Sequence, residues 1–141
     1  MRILITGGAG FVGYNLAKRI KRDNADAEVV LLDNLHRRGS EINATDAPSQ
    51  GISFCHGDIR HAPDLEDLPG TFDVMIEASA EPSVHAGTSN SPRYVIDSNL
   101  TGTINCLEYA RQNVGCMIFL STSRIYSMGP LRSLDFVETD T

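Results

Sequence analysis

The stretch Thr6-Gly7-Gly8-Ala9-Gly10-Phe11-Val12-Gly13 sets three glycines at the spacing Gly7-x-x-Gly10-x-x-Gly13, where an apolar run ends and a helix-period pattern begins. At such a junction the first glycine turns the chain without a Cβ clash. The second lets the backbone approach a pyrophosphate, and the third lets the helix pack closely on the strand. The helix N-terminus adds aligned N–H donors for the anion. Asp33 follows 20 residues after Gly13, at the end of a second apolar run. A carboxylate there accepts both hydroxyls of an adenosine ribose and repels a 2′-phosphate, which implies NAD rather than NADP. Arg37 and Arg38 pull the other way, since a nearby arginine could hold a 2′-phosphate. Asp33 alone could be a strand-end cap. The turn, strand, helix and acid together make it a cofactor residue.

The elements that must position these residues alternate between short β-branched runs and longer helix-period stretches. Arg2 to Thr6, Glu28 to Asp33, Ile52 to His56, Phe72 to Glu77 and Cys116 to Ser121 read as five strands. Phe11 to about Arg22 reads as a helix with Phe11, Val12, Leu16, Ala17 and Ile20 on its buried stripe. Pro92 opens a long helix with apolar Val95, Leu100, Ile104, Leu107 and Ala110, and Gly115 stands where a C-cap is expected. Arg37 to Gln50, rich in polar residues, reads as a mobile surface loop. Strand–helix alternation of this kind implies an α/β fold: a doubly wound parallel sheet of the NAD-binding Rossmann type, ordered 3-2-1-4-5.

Composition narrows the function classes. The chain has 141 residues and a net charge of −6, too acidic for a nucleic-acid partner, which would need clustered cations. Its one basic cluster, Lys18 to Arg22, falls late in the first helix, where cations oppose the helix dipole. No apolar run approaches the roughly 18 residues of a membrane span. No secretory signal is evident, so a cytoplasmic setting is expected. The three cysteines and four histidines have no metal-ligand spacing, and no metal site is expected.

Taken together, these residues resemble the extended short-chain dehydrogenase/reductase family, the NAD-dependent nucleotide-sugar epimerases and dehydratases. The glycine turn has that family's form. Gly57-Asp58-Ile59-Arg60 resembles the family's Asp-Ile/Val pair, whose carboxylate meets the adenine amino group. Ala78 to Val84 resembles the loop that passes under the cofactor. Asn99-Leu100-Thr101-Gly102-Thr103 resembles the Asn-x-x-Gly-Thr of the following helix. The resemblance implies cofactor contacts from Gly7, Gly10, Phe11, Val12, Gly13, Asp33, Asn34, Arg38, Asp58, Ile59, Ser79, Ala80, Glu81, Asn99 and Ser121. Ser121-Thr122-Ser123-Arg124-Ile125-Tyr126 resembles the Ser-Ser-Ser-x-x-Val-Tyr stretch, one residue short. Alignment from the strand makes Ser123 the catalytic hydroxyl that orients the sugar; alignment from Tyr126 would give that role to Thr122. Within the family, the Asp33 to Asn43 run is most similar to the CDP-paratose 2-epimerases. A dehydratase would carry Thr-Asp-Glu where this chain has Ser121-Thr122-Ser123.

The resemblance also implies a tyrosine base assisted by a lysine four residues on. Lys18 and Lys21 are the only lysines, so that pair is missing. Tyr14-Asn15-Leu16-Ala17-Lys18 has the spacing but sits on the first helix, which runs away from the phosphates. Two readings follow. One is the NAD-binding N-terminal part of an epimerase that transiently oxidises a sugar hydroxyl of a nucleotide-sugar substrate. On that reading residues 1–141 are one incomplete Rossmann domain, without the substrate domain and inactive alone. The other is a stand-alone NAD-binding or sensing module. In a chain that ends after strand five, that strand is an exposed edge, and self-association is expected.

Overall fold

The computed structural model describes residues 1–83, 85–88, 91–122 and 126–135. Five strands form a single parallel sheet: β1 (Arg2–Thr6), β2 (Glu28–Asp33), β3 (Ser53–His56), β4 (Phe72–Glu77) and β5 (Val114–Phe119). Their order is β3-β2-β1-β4-β5, as expected. The central strands read as continuous apolar runs because helices cover both faces. Along β1, Ile3 and Ile5 point to one face and Leu4 to the other, as the two-residue period of a strand requires.

Helix α1 (Phe11–Asp23) closes the Ile5 face, with Tyr14 and Ala17 packed on Val29 and Leu31. Ala47, which follows α2 (Ser40–Asp46) in a short 3-10 turn (Ala47–Gln50), joins the same core. On the Leu4 face, α3 (Ala62–Glu66) contributes Leu65. The chain then passes through α4 (Arg93–Ile96) and a π-helical turn (Asp97–Thr101). These lead into α5 (Gly102–Asn113), which adds Cys106, Tyr109 and Ala110 to that core. A last short helix, α6 (Met128–Arg132), is exposed. Among the described residues no helix is long and apolar enough to cross a membrane.

Four expectations are corrected here. The segment Arg37 to Gln50 is not a surface loop: it holds α2 and the 3-10 turn, and Ala47 is fully buried. Its polar residues tie it to the glycine turn and to α1, with Asn43 Nδ2 donating to Ala9 O at 2.8 Å and Tyr14 Oη bonded to Asp46. On α1, Phe11 and Val12 are exposed, and the buried stripe runs through Gly13, Tyr14 and Ala17. On the long helical stretch, Leu100, Ile104 and Leu107 also face outward, because the sheet side takes Gly102, Cys106, Tyr109 and Ala110 instead.

The fourth concerns Gly115. Helix α5 passes into β5 through an extended Val114 (φ −132°, ψ 134°), with no left-handed C-cap, and Gly115 lies inside the strand. A Cβ there would come within 2.9 Å of Asp73 O, so glycine suits close strand contact rather than a cap. Strand β5 accordingly starts and ends two residues earlier than expected. The basic cluster behaves as a helix end: Lys21 Nζ donates to Ala25 O and Ala27 O, and Arg19 pairs with Asp23.

Candidate cofactor site

In an open parallel sheet, the connections leave opposite faces where the strand order reverses, and a crevice opens outside the carboxyl ends of those strands. Here the reversal lies between β1 and β4. Gly7 follows β1 with φ +61°, a conformation that glycine adopts without a steric penalty. A Cβ at Gly7 would come within 2.7 Å of Ala78 O, so the glycine turn and the loop after β4 touch directly. Gly13 is equally constrained: its Cβ would meet Gly7 O at 2.5 Å, which is the helix-on-turn packing expected of the third glycine. Gly10 differs. An added Cβ would find only Gly7 O, at 3.1 Å, and otherwise open space on the groove side.

Asp33 is tied to this turn. Its Oδ2 accepts from Ala9 N at 3.1 Å and its Oδ1 from Leu35 N at 2.8 Å. Leu35 sits at φ 55°, a left-handed conformation unusual for a branched side chain, and Asp33 braces it. Asn34 and Asp58 follow on neighbouring strand ends, with Asn34 Nδ2 donating to Asp58 Oδ2 at 2.9 Å. Arg60 grips the same carboxylate through Nε and Nη2. That guanidinium, helped by the Asn34 amide, holds the Asp58 carboxyl well below the usual carboxylate range.

Below the groove, Glu77 is almost fully buried. It accepts from Ser79 N at 3.0 Å and Thr6 Oγ1 at 3.5 Å, and burial pushes its carboxyl up. The following loop is pinned by Asn99, whose Oδ1 accepts from Glu81 N at 2.8 Å and whose Nδ2 donates to Glu81 O at 3.2 Å. Gly102 lets the same helical segment approach the Asp58 loop, since a Cβ there would meet Ile59 Cδ1 at 2.5 Å. Asn105 Nδ2 donates to Ile59 O at 2.8 Å and completes that junction.

The groove therefore gathers Gly7, Gly10, Asp33, Asn34, Asp58, Ile59, Ser79, Ala80 and Glu81 of the expected set. Phe11, Val12, Gly13, Arg38, Asn99 and Ser121 are not among its lining residues. Gly13 and Asn99 act behind it, by packing on Gly7 and by holding Glu81. Phe11, Val12, Arg38 and Ser121 are exposed. Ser123 lies outside the described residues. Because β5 ends at Phe119, the strand period expected to place Ser121 does not reach it.

Sequence reasoning did not single out His36, Ser40, Tyr94 or Ser98, which also line the groove. His36 and Tyr94 rings meet with centroids 5.0 Å apart, and the Arg60 guanidinium lies 5.1 Å from the Tyr94 ring centre. No spacing could have found this cluster, because it joins the end of β2, the end of β3 and α4. The Tyr14–Lys18 spacing is set aside on physical grounds. Burial and the Asp46 carboxylate push the Tyr14 hydroxyl up to about 12, opposite to what a base requires. Among the described residues no His, Cys, Asp and Glu cluster could hold a metal ion.

A parallel sheet whose crevice carries a glycine turn, a strand-end acid and a helix start without a side-chain cap defines a dinucleotide-binding Rossmann domain. Sequence comparison takes this one step further. Residues 3–140 match the NAD dependent epimerase/dehydratase family, and the chain belongs to it. It is 35% identical over 146 residues to CDP-paratose 2-epimerase of Salmonella typhi, an alignment that takes in 100% of this chain and 42% of that protein. Among solved structures, the UDP-Glc/GlcNAc 4-epimerase of Campylobacter jejuni matches with a TM-score of 0.76 at 30% identity, over 86% of this chain and 37% of that one. The UDP-glucose 4-epimerase of Thermus thermophilus, solved as a complex with NAD, matches with a TM-score of 0.65 at 30% identity, over 79% of this chain and 34% of that one. The chain thus spans about two fifths of the length of the curated relatives it matches.

Proposed function

We propose that residues 1–141 are the NAD-holding domain of a nucleotide-sugar epimerase that works by transient oxidation of a sugar hydroxyl. The observation that carries this reading is the convergence of Gly7, Gly10, Asp33, Asp58 and the Ala78–Glu81 loop on one groove at the strand-order reversal. The residues fit the cofactor. Helix α1 has Gly10 at its N-cap and no side-chain cap, so its first-turn N–H groups suit a pyrophosphate, and the missing Cβ of Gly10 leaves room for one. Two backbone N–H groups fix the Asp33 carboxylate, which suits ribose hydroxyls, and Asp58 lines the same groove, which supports its role toward an adenine.

When bound, NAD supplies the hydride acceptor for a sugar carbon. This chain's own residues bind and orient: the glycine turn holds the phosphates, Asp33 the ribose, and the Ser79–Glu81 loop underlies the cofactor. Ser123 is the hydroxyl proposed to orient the sugar oxygen. A lysine-assisted tyrosine is not among these residues, so the 141 residues alone are expected to bind NAD without converting sugar. Nothing in the groove favours the alternative, a sensing module without chemistry.

The test is a calorimetric titration of NAD into the purified protein and into Asp33→Ala, with circular dichroism to confirm folding. Saturable binding by the parent, weakened at least about tenfold in the variant, is expected, since a hydrogen-bonded charge lost from such a site is worth roughly 1.5–3 kcal/mol. A folded parent that takes up no NAD overturns the proposal.

A further inference from the structure

The groove is crossed by an ion pair. Arg37 Nη2, from the segment after β2, lies 3.6 Å from Glu81 Oε1 on the loop after β4. The Arg37 side chain is 60% exposed, whereas that of Glu81 is only 14% exposed. Glu81 is the fixed partner. Its backbone N–H and carbonyl are both held by Asn99, and its Oε1 also accepts from Ser83 N at 2.9 Å. Arg37 is therefore the more exposed charge and Glu81 the anchor that sets where it rests.

Arg37 stands four residues beyond Asp33 and lines the same groove. An arginine close to the adenosine ribose is the group that accommodates the 2′-phosphate of NADP, and it competes with the repulsion from a strand-end acid. From this we infer that Glu81 is a specificity-determining residue for the cofactor. By holding Arg37 across the groove it withholds the one lining cation from that segment that a 2′-phosphate could use. The inference deepens the NAD reading above and rests on it. It assigns the discrimination to two carboxylates. Asp33 repels the phosphate directly, and Glu81 acts through Arg37.

The experiment is calorimetric titration of NAD and NADP into the parent, Glu81→Gln, Arg37→Gln and the double variant, at low ionic strength where exposed charges are least screened. Glutamine keeps the shape and an oxygen for Ser83 N, and the Asn99 contacts are to backbone, so the loop is expected to stay folded; circular dichroism checks this. The ratio of NADP to NAD dissociation constants should fall roughly threefold to fivefold in Glu81→Gln, the size of an exposed ion pair. It should return to the parent ratio in the double variant. A ratio unmoved in folded Glu81→Gln, or a gain that persists without Arg37, overturns the inference. Failure of the parent to bind NAD defeats the underlying reading instead. NAD binding with an unmoved ratio defeats this inference alone.

Discussion

The two faces of the sheet are closed by different kinds of core. Under α1, the buried residues are apolar apart from Tyr14 and Ser40, and the Tyr14 hydroxyl is bonded to Asp46. Under α5, the core ends in two polar groups near the sheet. Glu77 is buried beside Thr6 and Cys106, and Tyr109 has a buried hydroxyl with no hydrogen-bond partner among the described residues. Exposed apolar residues do not separate the two layers: the second leaves Leu100, Ile104 and Leu107 of its helix and Phe119 of β5 exposed, and the first leaves Phe11, Val12 and Ile42. With Glu77 and the Tyr109 hydroxyl inside it, the face proposed to carry the loop under the cofactor is the one with the less settled interior. A scaffold can leave one layer rigid to hold the glycine turn while the other tolerates polar and open groups near the chemistry.

The strongest way to break this comparison uses neighbours in one strand. Leu4 and Ile5 are both fully buried in β1 and point to opposite faces. Leu4→Ala and Ile5→Ala are each expected to cost about 2–5 kcal/mol, the spread depending on how well the surroundings collapse. Ile5→Ala should be the costlier, because the α1 layer has less freedom to close the cavity. Urea denaturation of both variants measures this. A cost for Leu4→Ala exceeding that for Ile5→Ala by ~1 kcal/mol or more would reverse the ranking of the two faces.

A smaller effect should follow pH and belongs to the α5 face alone. The Glu77 carboxyl is raised above its ordinary value of 4.5, chiefly by burial, with Ser79 N–H and the Thr6 hydroxyl opposing. A raised folded value means that the folded state binds more protons than the unfolded one between the two values. The contribution of Glu77 is complete below about 4.5 and is lost as pH rises through the folded value. Glu77→Gln removes that dependence, so the stability of the parent relative to the variant should decline as pH rises from about 4 toward 8. Asp58 has the opposite sign: held low by Arg60, it contributes above its ordinary 3.8 and loses that contribution as pH falls below it. Denaturation midpoints of parent and Glu77→Gln across this range check the sign. Parallel curves would mean that Glu77 titrates alike in both states.

The contrast between the faces also explains what the sequence could and could not reveal. Strands β1, β2 and β4 were legible to the residue, since a strand buried on both sides must be a continuous apolar run. The helix faces were not. Both α1 and the segment through α5 turn small residues and a tyrosine toward the sheet, so apolarity alone misplaced Phe11, Val12, Leu100, Ile104 and Leu107, although Ala17 and Ala110 are buried and Leu16 and Ile20 pack partly against the core. The segment Arg37 to Gln50 looked like a loop because its polar residues bond locally, as when Thr45 Oγ1 donates to Glu41 O and Ser49 Oγ to Asp46 O. Of the site, the glycine turn, Asp33 and Asp58 were legible because each belongs to a short local motif. His36, Tyr94 and the Arg37–Glu81 pair come together only through the sheet topology, which no local pattern encodes.

The finest test compares the two helix tyrosines. Both are buried against the sheet, and burial raises both hydroxyls. They differ in partners: Asp46 accepts from Tyr14, whereas Tyr109 Oη has none among the described residues. Replacing a bonded hydroxyl by hydrogen removes a favourable contact, while replacing an orphaned one removes a desolvation cost that folding otherwise carries. Tyr14→Phe should therefore destabilise, and it should also free α2 from α1, visible as faster amide exchange across Ser40 to Asp46. Tyr109→Phe should be neutral or stabilising by up to ~1 kcal/mol. Equal losses in the two variants would mean that the Tyr109 hydroxyl is satisfied in solution, and the α5 face would then be as settled as the α1 face.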